Sequence, residues 1–312
     1  MFRLALLAVF ALFAAALSAQ QPPLLMARAA KNPYDFARYL AGQGSFPWPS
    51  VWEVLHVSSP PAAPLCEPCS IDVITIEPPQ AILAIQSWPI DIYLRFQENK
   101  SMWQYTGAYT AIRKNYPSRY EVSRVGGKPF LRVSVQGANG SNWDSEMEEW
   151  FDLSQKTFEP AFEFTVQGRE DRMGFGVSRS VQAVAMPDGS ADQIKLSARI
   201  RFSAYLETDL GSLDYEATYV RDSSSKNFTL RDVQPSLEHG PKITTAEFEA
   251  LANIVTDDGI TAEQLMPYVM PRLREIASGT DIDTKRWLES ILSFSKDTPE
   301  KRELEALLSA KR

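Results

Sequence analysis

The sequence predicts an α+β protein: a large antiparallel β-sheet domain, strongly curved or barrel-like, followed by a small C-terminal bundle of three or four helices. Three observations predict it. From about Ser70 to Val233 apolar residues recur with a period of two, beyond Pro241 the period becomes 3.6, and clusters of turn-forming residues separate the successive β runs. Residues 70–235 are therefore assigned to the sheet domain and 241–312 to the helical module.

The longest alternation places Ile194, Leu196, Ala198, Ile200, Phe202, Ala204 and Leu206 opposite Lys195, Ser197, Arg199, Arg201 and Ser203, the pattern of a half-buried antiparallel strand. Ile90, Ile92, Leu94 and Phe96 alternate with Asp91, Tyr93, Arg95 and Gln97. Phe158, Phe162, Phe164 and Val166 behave likewise, as do Leu213, Tyr215, Ala217 and Tyr219. Turns are expected at Gly126-Gly127, Asn139-Gly140, Pro187-Asp188-Gly189 and the Asp222–Ser225 cluster. Short turns between successive strands give a meander of about eight to ten strands, enough that the sheet should curl, fold into two layers or close.

In the helical module Thr244 with Glu247 forms a capping box ahead of Phe248, Leu251, Ala252 and Val255, and Thr261 with Gln264 forms another ahead of Leu265 and Val269. Pro267 and Pro271 should break or kink this second helix, which Gly279 stops. Asp283 is expected to cap a third helix carrying Trp287, Leu288, Ile291 and Leu292. Thr298-Pro299-Glu300 opens a fourth, with proline at the tolerated first position.

Ahead of the sheet, residues 1–19 have the order of a secretory signal peptide: Arg3, an apolar run from Leu4 to Leu17, then small residues and polar Gln20 and Gln21. The run is shorter than the roughly 20 residues a spanning helix needs. No later segment is apolar enough to span, so the mature chain is expected outside the cytosol, secreted or periplasmic, with no integral membrane segment after cleavage. Residues 20–69 form an N-terminal helix, PYDFARYLAG, and a proline-rich arm anchored by Trp48, Val51, Trp52, Val54 and Leu55.

The 312 residues are 44% hydrophobic and 23% charged, which excludes whole-chain disorder. A formal net charge of −7 with no long Lys/Arg run gives no electrostatic footprint for nucleic acid.

Cys66-Glu67-Pro68-Cys69 is the most conspicuous motif. A reactive pair belongs at a helix N-terminus, where the dipole acidifies the first thiol, but here a strand-like Ser-Ile-Asp-Val-Ile follows, so Cys66 and Cys69 read as a possible structural disulfide. Zinc binding would need further ligands, and only His56 and His239 exist besides carboxylates. The same two histidines limit any Ser-His-Asp scheme, and no G-x-S-x-G elbow occurs. Asp257-Asp258-Gly259 lacks oxygen ligands at the calcium-loop ends and reads as an inter-helix turn. Glu146, Glu148 and Glu149 beside Trp150, Phe151 and Asp152 read as a solvated strand or turn edge flanking a buried Trp-Phe pair, and Arg169-Glu170-Asp171-Arg172 as a solvated loop. Trp103, Tyr105 and Tyr109 alternate on one face, which either packs in the core or lines a pocket.

These readings favour a non-enzymatic binding protein taking an apolar small molecule against the sheet or a protein partner, with no cofactor and no metal. Trp103, Tyr105, Tyr109, Ile200 and Phe202 are the candidate ligand-facing residues. A thiol-disulfide protein using Cys66 and Cys69 and a carboxylate-dependent hydrolase are the alternatives.

Overall fold

The computed structural model describes residues 32–41, 70–76, 79–86, 90–100, 102–112, 118–140, 143–172, 174–184, 193–204, 208–221, 225–237, 241–252 and 261–310. The signal-peptide, arm and Cys66/Cys69 expectations, both histidines, the Pro187–Gly189 turn and Asp257–Gly259 lie outside these residues.

Helix α1 (Pro33–Ala41) is followed by strands β1 (Ser70–Thr75), β2 (Gln80–Gln86), β3 (Ile90–Asn99) and β4 (Met102–Ile112), then β5 (Arg119–Val125), β6 (Lys128–Gly140), β7 (Trp143–Asp152), β8 (Phe162–Arg172), β9 (Phe175–Val184), β10 (Gln193–Ala204), β11 (Thr208–Val220) and β12 (Thr229–Pro235). Helices α2 (Thr245–Ala252), α3 (Ala262–Ser278), α4 (Ile282–Phe294) and α5 (Pro299–Ser309) complete the described chain. The strands form two sheets, β1-β2-β3-β4 and β12-β11-β10-β9-β8-β7-β6-β5, each ordered as a meander. Among the described residues neither sheet closes into a barrel. Gly126 and Gly127, both at positive φ (54° and 79°), make the β5–β6 turn, the conformation a two-residue hairpin of this twist demands. Asn139 and Gly140 do not turn; they end β6.

The chain divides into two compact units, one holding the described residues up to Val122 with Asp152–Glu159, the other Ser123–Phe151 with Pro160–Arg312. In the first unit β3 is buried on both faces, not half-buried as its alternation predicts. Its polar residues are inside because each has partners. Asp91 Oδ2 accepts from the Ser118 amide (2.8 Å) and hydroxyl (2.5 Å), and the Tyr93 hydroxyl shares that Ser118 Oγ at 2.5 Å. Arg95 donates to the backbone oxygens of Leu153 and Gln155, both at 2.6 Å, so one buried guanidinium holds the 152–159 segment. Burial pulls the Arg95 pKa below its ordinary value, and the Asp152 carboxylate opposes that pull.

In the second unit the C-terminal helices share one core with the eight-stranded sheet. Their caps form largely as the sequence predicts. Glu247 Oε2 accepts from the Thr244 amide at 2.7 Å, Thr261 N–H donates to Gln264 Oε1 at 2.8 Å, and Thr298 accepts from the Lys301 amide at 3.2 Å. The cap of α4 is Asp281, not Asp283: its carboxylate accepts from the Asp283 amide, so Asp283 falls inside the first turn. Helix α3 runs unbroken through Pro267 and Pro271. Both prolines lie four residues apart on the exposed side, where the carbonyls they leave unbonded can be solvated, while Leu265, Met266, Val269, Met270, Leu273, Ile276 and Ala277 are buried on the other side.

Candidate functional site

The site is built on the inner face of the eight-stranded sheet, the face that the C-terminal helices cover. Along β10 every second residue points there, and Ile194, Leu196, Ala198, Ile200, Phe202 and Ala204 are all buried. Antiparallel pairing sets Ile200 opposite Leu213 on β11, and Leu196 opposite Ala217. Helices α2 and α3 pack on β10, β11 and β12. Phe202 stacks on Tyr268 of α3 (6.4 Å between centroids, 6° between planes), and Tyr215 meets Phe248 of α2 edge-on at 6.2 Å. Trp287 of α4 lies against Phe175 and donates its indole N–H to the Gly174 carbonyl at 2.9 Å. This half of the face is filled.

One end of the sheet is plugged by aromatic rings. Phe162 on β8 lies 4.8 Å from Tyr219 on β11 and 5.7 Å from Phe228, just before β12. In a flat sheet β8 and β11 would be three strand spacings apart, about 14 Å, so the sheet bends here. The bend also lets the Phe228 amide donate to the Ala161 carbonyl at 3.0 Å. Trp150 packs edge-on to Phe162, Phe130 and Phe164. Glu148 enters this cluster as a charge with two donors: its Oε1 accepts from Trp150 Nε1 at 2.6 Å and from Arg132 Nε at 2.5 Å, and the Arg132 guanidinium sits 4.7 Å over the Trp150 ring.

Away from that end, on β5 to β9, the same face carries polar side chains among its apolar ones. The register sets Arg179 of β9 directly opposite Ile200 on one side and Gly168 of β8 on the other, and Gly168 is opposite Ser145 of β7. One row of five residues thus runs Leu213, Ile200, Arg179, Gly168, Ser145, from apolar to polar. The Arg179 side chain is 0% exposed. Its Nε donates to the Leu251 carbonyl in the last turn of α2, and Nη2 lies 3.3 Å from Glu170 Oε2. Burial lowers the Arg179 pKa, and Glu170 opposes that shift through its charge and its hydrogen bond. Among the described residues Arg179 Nη1 has no partner, and neither has Gln136 Oε1 or Ser123 Oγ. Alternation puts Gln136 on the face of Phe130 and Arg132, and Ser123 on the face of Val125, which packs on the shared core. Three buried polar atoms without partners in one small sheet region are notable, since each ordinarily costs about 1–3 kcal/mol.

Among the residues singled out by sequence, Ile200 and Phe202 lie together beneath the helices, at 0% and 1% exposure. Trp103, Tyr105 and Tyr109 lie half-buried on β4 in the other compact unit, but not on one face: a register shift at Arg95/Phe96 sets Tyr109 opposite Tyr93, on which it stacks at 6.0 Å, and Tyr105 opposite Phe96, edge-on at 6.1 Å. The glutamates near Trp150 are not a solvated edge: Glu148 is buried and bound as described, because Arg132 and the Trp150 indole supply its donors, and Glu146 and Glu149 are half-buried on β7. The Arg169–Arg172 run is not a solvated loop: it is the end of β8, and Glu170 is buried against Arg179. Arg179 and Gly168 escaped the sequence reading, although Arg179 is in phase with Phe175, Val177 and Val181, a charge in an apolar register.

Among the described residues no group of three or more His, Cys, Asp or Glu side chains is placed to hold a metal ion, and no helix is long and apolar enough to cross a membrane. In comparisons with protein-family models, curated proteins and solved structures, nothing matches the chain.

Proposed function

We propose that this is a non-enzymatic binding protein, acting outside the cytosol, whose ligand is a small molecule with an apolar body and a hydrogen-bonding head. The carrying observation is the gradient across the inner face, from Leu213 and Ile200 under the helices to Arg179, Gly168 and Ser145, with polar atoms of Arg179, Gln136 and Ser123 left without partners. A sheet meant only to carry a helical layer gains nothing from such atoms, whereas a binding site needs a few placed polar groups beside apolar surface. The bend that brings Phe162 to Tyr219 and Phe228, with the aromatic plug it forms at one end, supports the same reading, because it would shelter a ligand's apolar part from water.

Titration of delipidated protein with a fluorescent long-chain acyl probe tests this. Saturable one-to-one binding, displaced by an unlabelled acyl chain, is the expected outcome. A linear, non-displaceable signal would refute the reading.

A further inference from the structure

Resting on that reading, we propose that the row Arg179–Gly168–Ser145 is the subsite for the ligand's head, and that the head is an anionic oxygen group, namely the carboxylate of an acyl chain. Gly168 has no side chain, so none stands in the paired row between a guanidinium on β9 and a hydroxyl on β7. Both flanking side chains are buried, and both can donate. A carboxylate over Gly168 would take a charge-assisted bond from Arg179 Nη1, the donor left without a partner, and a second from the Ser145 hydroxyl. Glu170 does not already saturate the guanidinium: it meets Nη2 at 3.3 Å, and Nε is taken by a neutral carbonyl, Leu251 O. Because Arg179 also ties down the end of α2, head binding and the seating of that helix draw on the same side chain.

The test compares oleate with oleyl alcohol, which share a chain and differ in the charge of the head, as competitors of the fluorescent acyl probe at neutral pH. Wild-type protein should bind oleate at least about tenfold more tightly, equivalent to about 1.4 kcal/mol. Gly168→Ser, which places a side chain between Arg179 and Ser145 and leaves the Arg179 ion pair in place, should abolish the preference while circular dichroism remains native. Ser145→Ala should reduce it several-fold. Arg179→Gln should remove it as well, and if that variant does not fold, the Gly168 and Ser145 variants still decide. Equal affinity for both ligands in wild type, or a preference untouched by Gly168→Ser, overturns the anionic-head assignment and leaves the binding reading standing. Failure of both ligands to displace the probe overturns the two together.

Discussion

The two halves of one sheet face are built to different rules. On β10 and β11 the inward residues are apolar and buried, and helix rings pack on them: Phe202 stacks on Tyr268, and Tyr215 meets Phe248. On β5–β9 the inward positions include Arg132, Gln136, Ser145, Glu148, Glu170 and Arg179, and not all their polar atoms are matched. Packing alone explains the first half. It does not explain the second, because apolar residues of similar volume could fill these positions without the desolvation cost of buried charge. Under the proposed function, the difference separates the part of the face that makes the protein stable from the part offered to a ligand.

The largest effect should appear in the covered half. Phe202→Ala should cost about 3–5 kcal/mol and Ile200→Ala about 2–5 kcal/mol, from lost burial and the cavity left behind, read as shifts in the urea midpoint at constant m-value. Gln136→Ala, which deletes an unmatched acceptor, should change stability by less than about 1 kcal/mol. If Gln136→Ala destabilises as much as Ile200→Ala, the two halves are not different in kind.

Next comes the aromatic end, where both rules operate at once. Glu148→Gln keeps an acceptor for the Trp150 indole but removes the charge opposite Arg132, which is 27% exposed. It should cost about 1–2 kcal/mol, short of the loss expected for breaking a fully buried pair, with a change in tryptophan emission near Trp150. An unchanged urea midpoint would place the Arg132–Glu148 contact among ion pairs that contribute nothing.

Alkaline titration sharpens the comparison from the other direction, since the tyrosines near the helices are held neutral. Burial pushes the Tyr215 and Tyr268 hydroxyls up to about 12, with Tyr268 and Glu247 adding to the shift at Tyr215 and Glu247 adding at Tyr268. The unfolded chain releases these protons near pH 10. Stability is therefore fully present below about pH 10 and is lost as pH rises from about 10 to 12. Tyrosinate absorbance should appear together with loss of near-ultraviolet dichroism. Full tyrosinate formation near pH 10 with the fold intact would show that the covered half admits water.

The smallest effect belongs to the helix caps. Thr244→Ala should cost about 1 kcal/mol, the ordinary value for an N-terminal cap. Backbone and side-chain hydrogen bonds from Thr244 hold the Glu247 carboxyl below its usual range, so this contribution is present at neutral pH and fades as acid protonates Glu247. A Thr244→Ala penalty equal at pH 7 and pH 3 would mean that the reciprocal bond to Glu247 carries none of it.

How much of this was legible in the sequence depends on what each residue answers to. The alternation of β10 reports burial on one face only, so period two identified it and its inward residues directly. Strand β3 has a similar alternation, yet Asp91 and Arg95 are buried, because partners from residues 27 and about 60 positions away supply their hydrogen bonds. No local pattern contains that information. Pro267 and Pro271 suggested a break because propensity is local, whereas helix α3 is held by seven buried residues on its other side. The site was hidden for a related reason. Four consecutive charges at Arg169–Arg172 resemble a loop, and only the pairing of β8 with β9 brings Glu170 to Arg179 and leaves Gly168 between Arg179 and Ser145. A phase argument along Phe175, Val177, Arg179 and Val181 would have flagged the arginine, but not its neighbours.

Native mass spectrometry of the protein isolated from its own compartment without detergent tests the central claim most directly. The expected result is a population carrying the added mass of a single small amphiphile, released by organic extraction and replaced by a long-chain fatty acid on re-addition. The bare polypeptide mass alone, with no uptake of a fatty acid after extraction, would contradict it.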